Sequence, residues 1–141
     1  MTCSADDTAT ARDLQRRDVP AEPGRLAPPR DQLAVWAPGA GLPPGRVQDL
    51  LLAVYEAMAN VVVHAYPDCP GTFTLHARRD GDAVTVTIRD HGRWQPVPRA
   101  RPLGGRGLPL IHSLADQALV ETSAAGTTVT MTWTCGNRPL P

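Results

Sequence analysis

The chain has 141 residues, a formal net charge of zero and no lysine, since all 14 of its basic residues are arginine. Its length favours one domain with a substantial core, and its charge gives no sign of a surface for nucleic acid or membrane. The lack of lysine excludes a Walker A phosphate loop, a Schiff-base enzyme and a kinase of the protein-kinase fold, because each requires a lysine. Three cysteines without metal-ligand spacing, no signal peptide and no long apolar run together predict a cytoplasmic protein with reduced thiols.

In chain order, the first half of the sequence predicts a tail, a strand and two helices. Residues 1–11 are small and polar and predict a flexible tail, and 14–19 predict a short edge strand. A first helix is expected within 24–37, with its two prolines in the first turn, where the missing amide hydrogen is tolerated. A longer helix is expected over 47–66 and is ended by the prolines and glycine that follow it.

The second half predicts two hairpins separated by a third helix. Alternating apolar residues mark the strands, and Asp80-Gly81 is a typical hairpin turn. Asp90 has the same parity as the apolar residues of its strand, so its side chain is expected to face the core. The predicted elements are strands over 72–79 and 84–88, a helix over 107–116, and strands over 118–122 and 127–134. This order predicts an α+β fold with about three helices on one face of a mostly antiparallel mixed sheet.

The long helix is apolar almost all round but carries one polar strip. Within about 80° of one another on the helical projection lie Asp49, Glu56, Asn60 and His64. Apolar side chains, including Leu52 and Val63 on the far flank, predict that the rest of the helix is buried. A carboxylate and an amide one turn apart in such a pocket could hold a metal ion or activate a water. An exposed polar face is the alternative, and structural support is the expected role of His64.

Four motifs occur in a fixed order along the chain. They are Glu56-x-x-x-Asn60 with His64-Ala65-Tyr66, Asp90-x-Gly92, Gly104-Gly105-Arg106-Gly107-Leu108, and Gly126-Thr127-Thr128. In order and spacing they resemble the N, G1, G2 and G3 boxes of the GHKL (Bergerat-fold) ATPases, and within these the small anti-sigma-factor serine/threonine kinases. The resemblance covers residues 12–135 and implies one histidine kinase-like ATPase domain, a two-layer α/β sandwich, with tails at 1–11 and 136–141.

The resemblance implies a role for two residues of the polar strip. Glu56 would be the catalytic base, since a carboxylate can accept a proton from a hydroxyl or a water. Asn60 would be a ligand of Mg²⁺, because an amide oxygen is a hard ligand suited to a cation that also binds phosphate.

A second group of residues would hold the base of ATP. By resemblance, Asp90 would accept a hydrogen bond from the adenine amino group, which would offset the cost of burying its charge. Gly92 would let the base approach the backbone, and Thr127 would reach the base directly or through water. The alternative for Asp90 is a strand-ending residue that caps the next turn.

The glycine cluster would form the phosphate end of the pocket. Gly104, Gly105, Gly107 and Leu108 lead into a helix, whose N-terminal amides suit an anion. Without lysine, the triphosphate must be neutralised by Mg²⁺ and arginine, and Arg106 lies inside the cluster. A glycine-rich sequence can also be an ordinary loop.

One position departs from the family pattern. Trp94 stands where many members carry a second glycine after the aspartate. Tryptophan lacks the backbone freedom of glycine. This predicts either a stiffer lid over the nucleotide or an indole ring stacked beside it.

The resemblance implies a protein that uses ATP and Mg²⁺ to phosphorylate a STAS-domain anti-sigma antagonist and that can also sequester a sigma factor. It also favours a homodimer through the N-terminal strand, while the neutral charge predicts no direct binding of nucleic acid or membrane. The alternative is a non-catalytic module in which bound ATP only rigidifies a partner-binding surface. A sensor histidine kinase is disfavoured, because no membrane segment and no additional helical domain with a phosphoacceptor histidine is evident.

Overall fold

The computed structural model describes residues 13–93 and 107–135. Within them the chain forms three α-helices and a five-stranded sheet. The strands are β1 (Leu14–Pro20), β2 (Thr72–Asp80), β3 (Ala83–Asp90), β4 (Gln117–Ser123) and β5 (Gly126–Thr134). The helices are α1 (Ala27–Gly39), α2 (Pro44–Asn60) and α3 (Gly107–Leu114), and a 3₁₀ turn at Pro23–Arg25 precedes α1. The expected α+β class is confirmed.

The sheet has the order β1-β2-β3-β5-β4, and its pairings are antiparallel throughout the described strands, so no parallel pair makes it mixed there. Every second residue of the central strands is buried against the helices, as the period of two predicts. The buried positions include Phe73, Leu75, Val86, Ile88, Val129, Met131 and Trp133. The residues between them face outward, and on β3 and β5 most of these are threonines.

The turn between β2 and β3 starts one residue later than expected. Asp80 still pairs with Ala83, so the two-residue loop starts at Gly81 rather than at Asp80. Gly81 has a φ of 67°, a left-handed conformation that glycine adopts at little cost. The hairpin itself is confirmed, and only its register was misplaced.

The first helix is longer at its C-terminal end than the sequence indicated. Pro28 and Pro29 lie in its first turn, as expected, but the helix continues through Pro38 to Gly39. The Ala40 amide then closes it by donating to the Trp36 carbonyl at 3.0 Å. None of the helices in residues 13–93 and 107–135 is long and apolar enough to cross a membrane.

The long helix changes its hydrogen bonding before it ends. The α-helical part stops at Asn60, and a π-helical turn continues it over Val61–Ala65. Because a π turn closes i to i+5 bonds, the angular projection used for an α-helix does not extend to His64. Short π segments inside helices occur frequently at functional sites.

One flank of α2 is exposed, contrary to the expectation that it is buried on three sides. Leu52 is 46% exposed and Val63 is 66% exposed. The sheet and the neighbouring helices cover only part of the circumference of α2, which the helical period alone could not show. A groove of about 540 Å³ lies between this flank and the start of α1, and it is lined in part by Leu26, Leu52 and Tyr55.

The helix α3 ends before Asp116, which belongs to the predicted helix but is bonded to the sheet. The Asp116 carboxylate accepts a hydrogen bond from the Thr134 amide at 2.7 Å and also pairs with Arg46 at the start of α2. Burial raises the pKa of Asp116, but the Thr134 hydrogen bond and the Arg46 charge outweigh it, so the pKa lies below its usual value. The indole of Trp133 donates to the Leu114 carbonyl at 2.9 Å and so satisfies the last turn of α3.

Candidate functional site

Two residues of the polar strip, Glu56 and Asn60, lie in the C-terminal half of α2. Glu56 and Asn60 are both half-buried and lie one turn apart, where i and i+4 side chains are neighbours. The Nδ2 atom of Asn60 is buried without a hydrogen-bond partner among the described residues. A buried amide left unsatisfied costs free energy, which makes this atom a candidate contact for a ligand.

A second unsatisfied group lies where the interior strands β3 and β5 pair at the end of β3. Asp90, the last residue of β3, pairs in register with Thr127 of β5, and each side chain is 1% exposed. The Oγ1 atom of Thr127 is buried and has no hydrogen-bond partner among the described residues. Burial of Asp90 on the core side confirms the expectation from strand parity.

The Asp90 carboxylate organises the backbone around it. Its Oδ1 atom accepts hydrogen bonds from the Gly92 amide at 3.0 Å and from the Thr127 amide at 3.3 Å. The first of these bonds is the turn cap that sequence reasoning left open as an alternative. The carboxylate is therefore held in a fixed position between β3 and β5, which a purely exposed turn residue would not be.

Two glycines allow the close backbone approaches at this point. A Cβ on Gly92 would lie 2.0 Å from the Ala65 carbonyl oxygen, at the end of the π turn. A Cβ on Gly126 would lie 1.9 Å from the Asp90 carbonyl oxygen, and Gly126 also has a φ of 137°. Both positions exclude any other residue without a backbone shift.

Direct contacts join the end of the long helix to the segment that follows β3. The Arg93 amide donates to the Ala65 carbonyl at 2.9 Å. The Tyr66 hydroxyl accepts a bond from the His91 amide at 3.0 Å and donates to the Thr72 carbonyl at 2.6 Å. Hydrogen bonds thus join the end of the helical segment that follows Asn60 to the segment that follows Asp90.

Other predicted site residues have little or no structural description. Gly104, Gly105 and Arg106 lie outside the described residues, as does Trp94. Gly107 and Leu108 are the first two residues of α3, as expected of a phosphate-binding helix start. Their assignment to the phosphate end stays a prediction.

Sequence reasoning overlooked two contributors to this region. Tyr66 belongs to the first motif, which implies no role for it, and Gly126 opens the last motif. The signal for Gly126 was available, since a glycine that opens a strand beside a polar residue often marks a close approach. Nothing in the sequence indicated that the Tyr66 hydroxyl reaches across to the residue after Asp90.

Together these groups define what the site can bind. On the neighbouring strands, the Asp90 carboxylate can accept hydrogen bonds from the edge of a heterocyclic base, and the Thr127 hydroxyl can accept or donate them. On the helix, the Asn60 amide and the Glu56 carboxylate offer oxygen ligands to a cation that is bound to phosphate. An amide side chain presents an oxygen to a cation and a nitrogen to an anion, so Asn60 suits a metal–phosphate complex.

Comparison with known proteins identifies relatives over nearly the whole described chain. A family model for the histidine kinase-like ATPase domain matches residues 19–133. That range contains α1, α2, α3 and the complete strands β2, β3 and β4. It also contains Glu56, Asn60, Asp90 and Thr127.

The similar curated proteins carry two kinds of name. The serine-protein kinase RsbW of Bacillus velezensis is 30% identical over 140 residues, which cover 88% of this chain and 87% of the relative. RsbW of Bacillus subtilis is 31% identical over 130 residues, or 81% of each chain. An anti-sigma F factor of Lysinibacillus sphaericus is 33% identical over 92 residues, and the match spans 56% of this chain but less than two thirds, 63%, of that relative.

A solved structure has the same fold. It is the crystal structure of the RsbU and RsbW domains of a Mycobacterium tuberculosis protein, which superposes with a TM-score of 0.71 at 26% sequence identity. The match covers 88% of this chain and 32% of the other, so this chain spans about a third of that larger protein. The five-stranded sheet with three helices is therefore the architecture shared with that structure.

Proposed function

Because this chain belongs to the histidine kinase-like ATPase domain family, we propose that it is an ATP-binding serine/threonine kinase that phosphorylates a STAS-type anti-sigma antagonist. In this proposal it also sequesters a sigma factor, and its ATP state decides between the two partners. Support comes from relatives named serine-protein kinase and anti-sigma F factor. The cytoplasm is the proposed location, and homodimerisation through β1 stays a prediction.

One structural observation supports nucleotide binding most directly. The Asn60 Nδ2 and Thr127 Oγ1 atoms are buried and unsatisfied in the described chain. Asn60 precedes the π turn that ends at Ala65, and Thr127 pairs with Asp90, two residues before Gly92, which packs against Ala65. Buried polar atoms are normally hydrogen-bonded, so two exceptions at one site favour a ligand that supplies the missing partners. A nucleotide has polar atoms at both of its ends and fits this requirement.

In the proposed complex, each side chain has one task. Asp90 accepts a hydrogen bond from the adenine amino group, and Thr127 bonds to the same base through its hydroxyl. Asn60 holds Mg²⁺, which when bound neutralises phosphate charge. Arg106 and the amides around Gly107 would contact the phosphates.

The proposed reaction is an in-line phosphoryl transfer. Glu56 accepts the proton of the substrate serine or threonine hydroxyl as its oxygen bonds to the γ-phosphorus. The bond from the γ-phosphorus to the bridging oxygen breaks, and that oxygen leaves as part of ADP. The chain contributes position and electrostatic stabilisation rather than a covalent intermediate.

The first experiment tests nucleotide binding. Isothermal titration with ATP and Mg²⁺ should show binding to the wild type, and Asp90→Asn should weaken it by about tenfold, because a charge-assisted hydrogen bond is lost. Asp80→Asn is the matched control, since Asp80 is exposed at the end of β2 and should bind ATP like the wild type. A wild type that binds no ATP would refute every nucleotide-based assignment.

The second experiment separates a kinase from a binding module. Labelled ATP is incubated with the protein and with each STAS-domain protein of the source organism, and phosphotransfer is measured. Glu56→Gln should lower the transfer rate by about a hundredfold or more while ATP affinity is retained. Glu121→Gln, on the exposed part of β4, is the control. If the wild type binds ATP but phosphorylates none of these proteins, the non-catalytic alternative replaces the kinase.

A further inference from the structure

The geometry points to Tyr66 as a positioning residue that holds Asp90 at the base-binding end of the site. This inference rests on the proposed nucleotide site and adds a residue for which the sequence motif implied no role. Tyr66 follows the π turn directly and is half-buried. Its hydroxyl is the only described side-chain group bonded to the backbone of the residue after Asp90.

The hydroxyl of Tyr66 makes two bonds that tie three segments together. It donates to the Thr72 carbonyl at 2.6 Å, at the start of β2, and accepts from the His91 amide at 3.0 Å, just after β3. The aromatic ring fills the space beside Gly71, where a Cβ would lie 2.2 Å from a ring carbon. Ring and hydroxyl together fix the side chain in one place.

The segment held by Tyr66 is the one that orients the Asp90 carboxylate. Asp90 Oδ1 accepts the Gly92 amide at 3.0 Å and the Thr127 amide at 3.3 Å, and the shorter bond makes the carboxylate direction depend on where residues 91–92 lie. Their position depends in turn on the end of the π turn, through the Tyr66–His91 bond and through the Arg93 amide bonded to the Ala65 carbonyl at 2.9 Å. Loss of the Tyr66 hydroxyl removes the first of these two hydrogen bonds, which is the one that a side chain supplies.

This chain of contacts predicts an effect on base recognition rather than on phosphate binding. Tyr66 bonds to neither Glu56 nor Asn60 in the described structure. A displaced Asp90 would lose the hydrogen bond from the adenine amino group, while contacts elsewhere on the nucleotide would persist. The diagnostic quantity is therefore the preference for ATP over purine riboside triphosphate, an analogue that lacks the 6-amino group.

The test measures both dissociation constants, with Mg²⁺, on wild type, Tyr66→Phe and Tyr55→Phe. Tyr55 is the other tyrosine of the chain and lies on the exposed flank of α2, 39% exposed. In the wild type, ATP should bind more tightly than the analogue. In Tyr66→Phe we expect ATP affinity to fall by about three- to tenfold, the worth of one or two net hydrogen bonds, with analogue affinity nearly unchanged. Tyr55→Phe should keep the wild-type ratio.

The ratio of the two constants is taken within one protein preparation, so an unfolded fraction in the variant does not change it. An unchanged ratio in Tyr66→Phe, with ATP preferred by the wild type, overturns the positioning role and leaves the proposed function standing. Equal binding of both nucleotides by the wild type overturns the inference as well, because Asp90 then reads no amino group. A wild type that binds neither nucleotide refutes the proposed function itself.

Discussion

Substitution of Gly92 by alanine should destabilise the protein strongly, although it adds only one methyl group. The added Cβ would lie 2.0 Å from the Ala65 carbonyl oxygen, and ordinary contact begins at 3.4 Å, so the backbone must shift by about 1.4 Å. The two nearest atoms, the Ala65 carbonyl oxygen and carbon, are backbone atoms at the end of the π turn, and backbone cannot simply rotate away. The shift therefore has to be taken up by residues 91–93 or by the π turn.

The magnitude follows from the bonds that such a shift breaks. The Arg93 amide would lose the Ala65 carbonyl at 2.9 Å, and the Gly92 amide would lose the Asp90 carboxylate at 3.0 Å. A neutral hydrogen bond contributes about 1 kcal/mol and one to a charged group about 2 kcal/mol. We expect a loss of about 3 kcal/mol in the free energy of unfolding, within the range for single substitutions that overpack a site.

The assay is urea denaturation followed by far-ultraviolet circular dichroism, with Gly45→Ala as the control. A Cβ on Gly45 would meet nothing within 4 Å, and Gly45 lies in the first turn of α2. Alanine there should leave stability unchanged or raise it by about 0.5 kcal/mol, because the unfolded chain loses freedom. The reasoning is refuted if Gly92→Ala unfolds at the same urea concentration as Gly45→Ala.

Three further predictions concern the core residue Trp133, the ion pair between Arg46 and Asp116, and the buried hydroxyl of Thr127. Trp133→Phe should lower the free energy of unfolding by about 3 kcal/mol in urea, because Trp133 is fully buried and its loss leaves the Leu114 carbonyl without the indole N–H; a change below 1 kcal/mol would contradict this. Asp116→Asn should cost about 1 kcal/mol or less at pH 7, since the carboxylate is 42% exposed. Because the pKa of Asp116 in the folded protein lies below the ordinary value of 3.8, its contribution is present above pH 3.8 and is lost as the pH falls through the folded pKa. A stability difference between variant and wild type that widens in acid would contradict this. Thr127→Val should leave stability unchanged or raise it by up to about 1 kcal/mol, since it removes an unsatisfied buried hydroxyl, but it should weaken ATP binding. The control Thr130→Val, on the outward face of β5, should change neither stability nor ATP binding. If Thr127→Val binds ATP as tightly as the wild type, Thr127 is not part of the site.

The elements with a clear side-chain period could be predicted from the sequence, and the deviations from ideal geometry could not. Alternation placed β2, β3 and β5 and put Asp90 on the core side, because a strand has only two faces. The π turn at Val61–Ala65 was invisible, since one additional residue in a helical turn leaves the local composition unchanged. The predicted turn was wrong by one residue at Asp80, because Asp80-Gly81 and the loop that starts at Gly81 both satisfy the turn preference.

Long-range partners were the other limit of the sequence. The exposure of Leu52 depends on where α1 begins beside α2, and an apolar residue by itself does not report which neighbours cover it. Asp116 was predicted to lie in a helix, but α3 ends before it, and its carboxylate bonds to Arg46 and to the Thr134 amide of β5. The positions of Asp90 and Thr127 could be predicted because both lie at element ends, where side-chain type and backbone geometry are both constrained.

The pairing of β3 with β5 has a consequence for how the chain tolerates change. Asp90 and Thr127 are adjacent through the strand ladder, although α3, β4 and the connections between them separate the two residues in the sequence. Insertions or deletions between residues 94 and 106 would leave that ladder register untouched, and loop closure becomes only slightly less favourable with added length. A chain with a different length there can therefore keep Asp90 and Thr127 in register, and with them the base-binding pair that we propose.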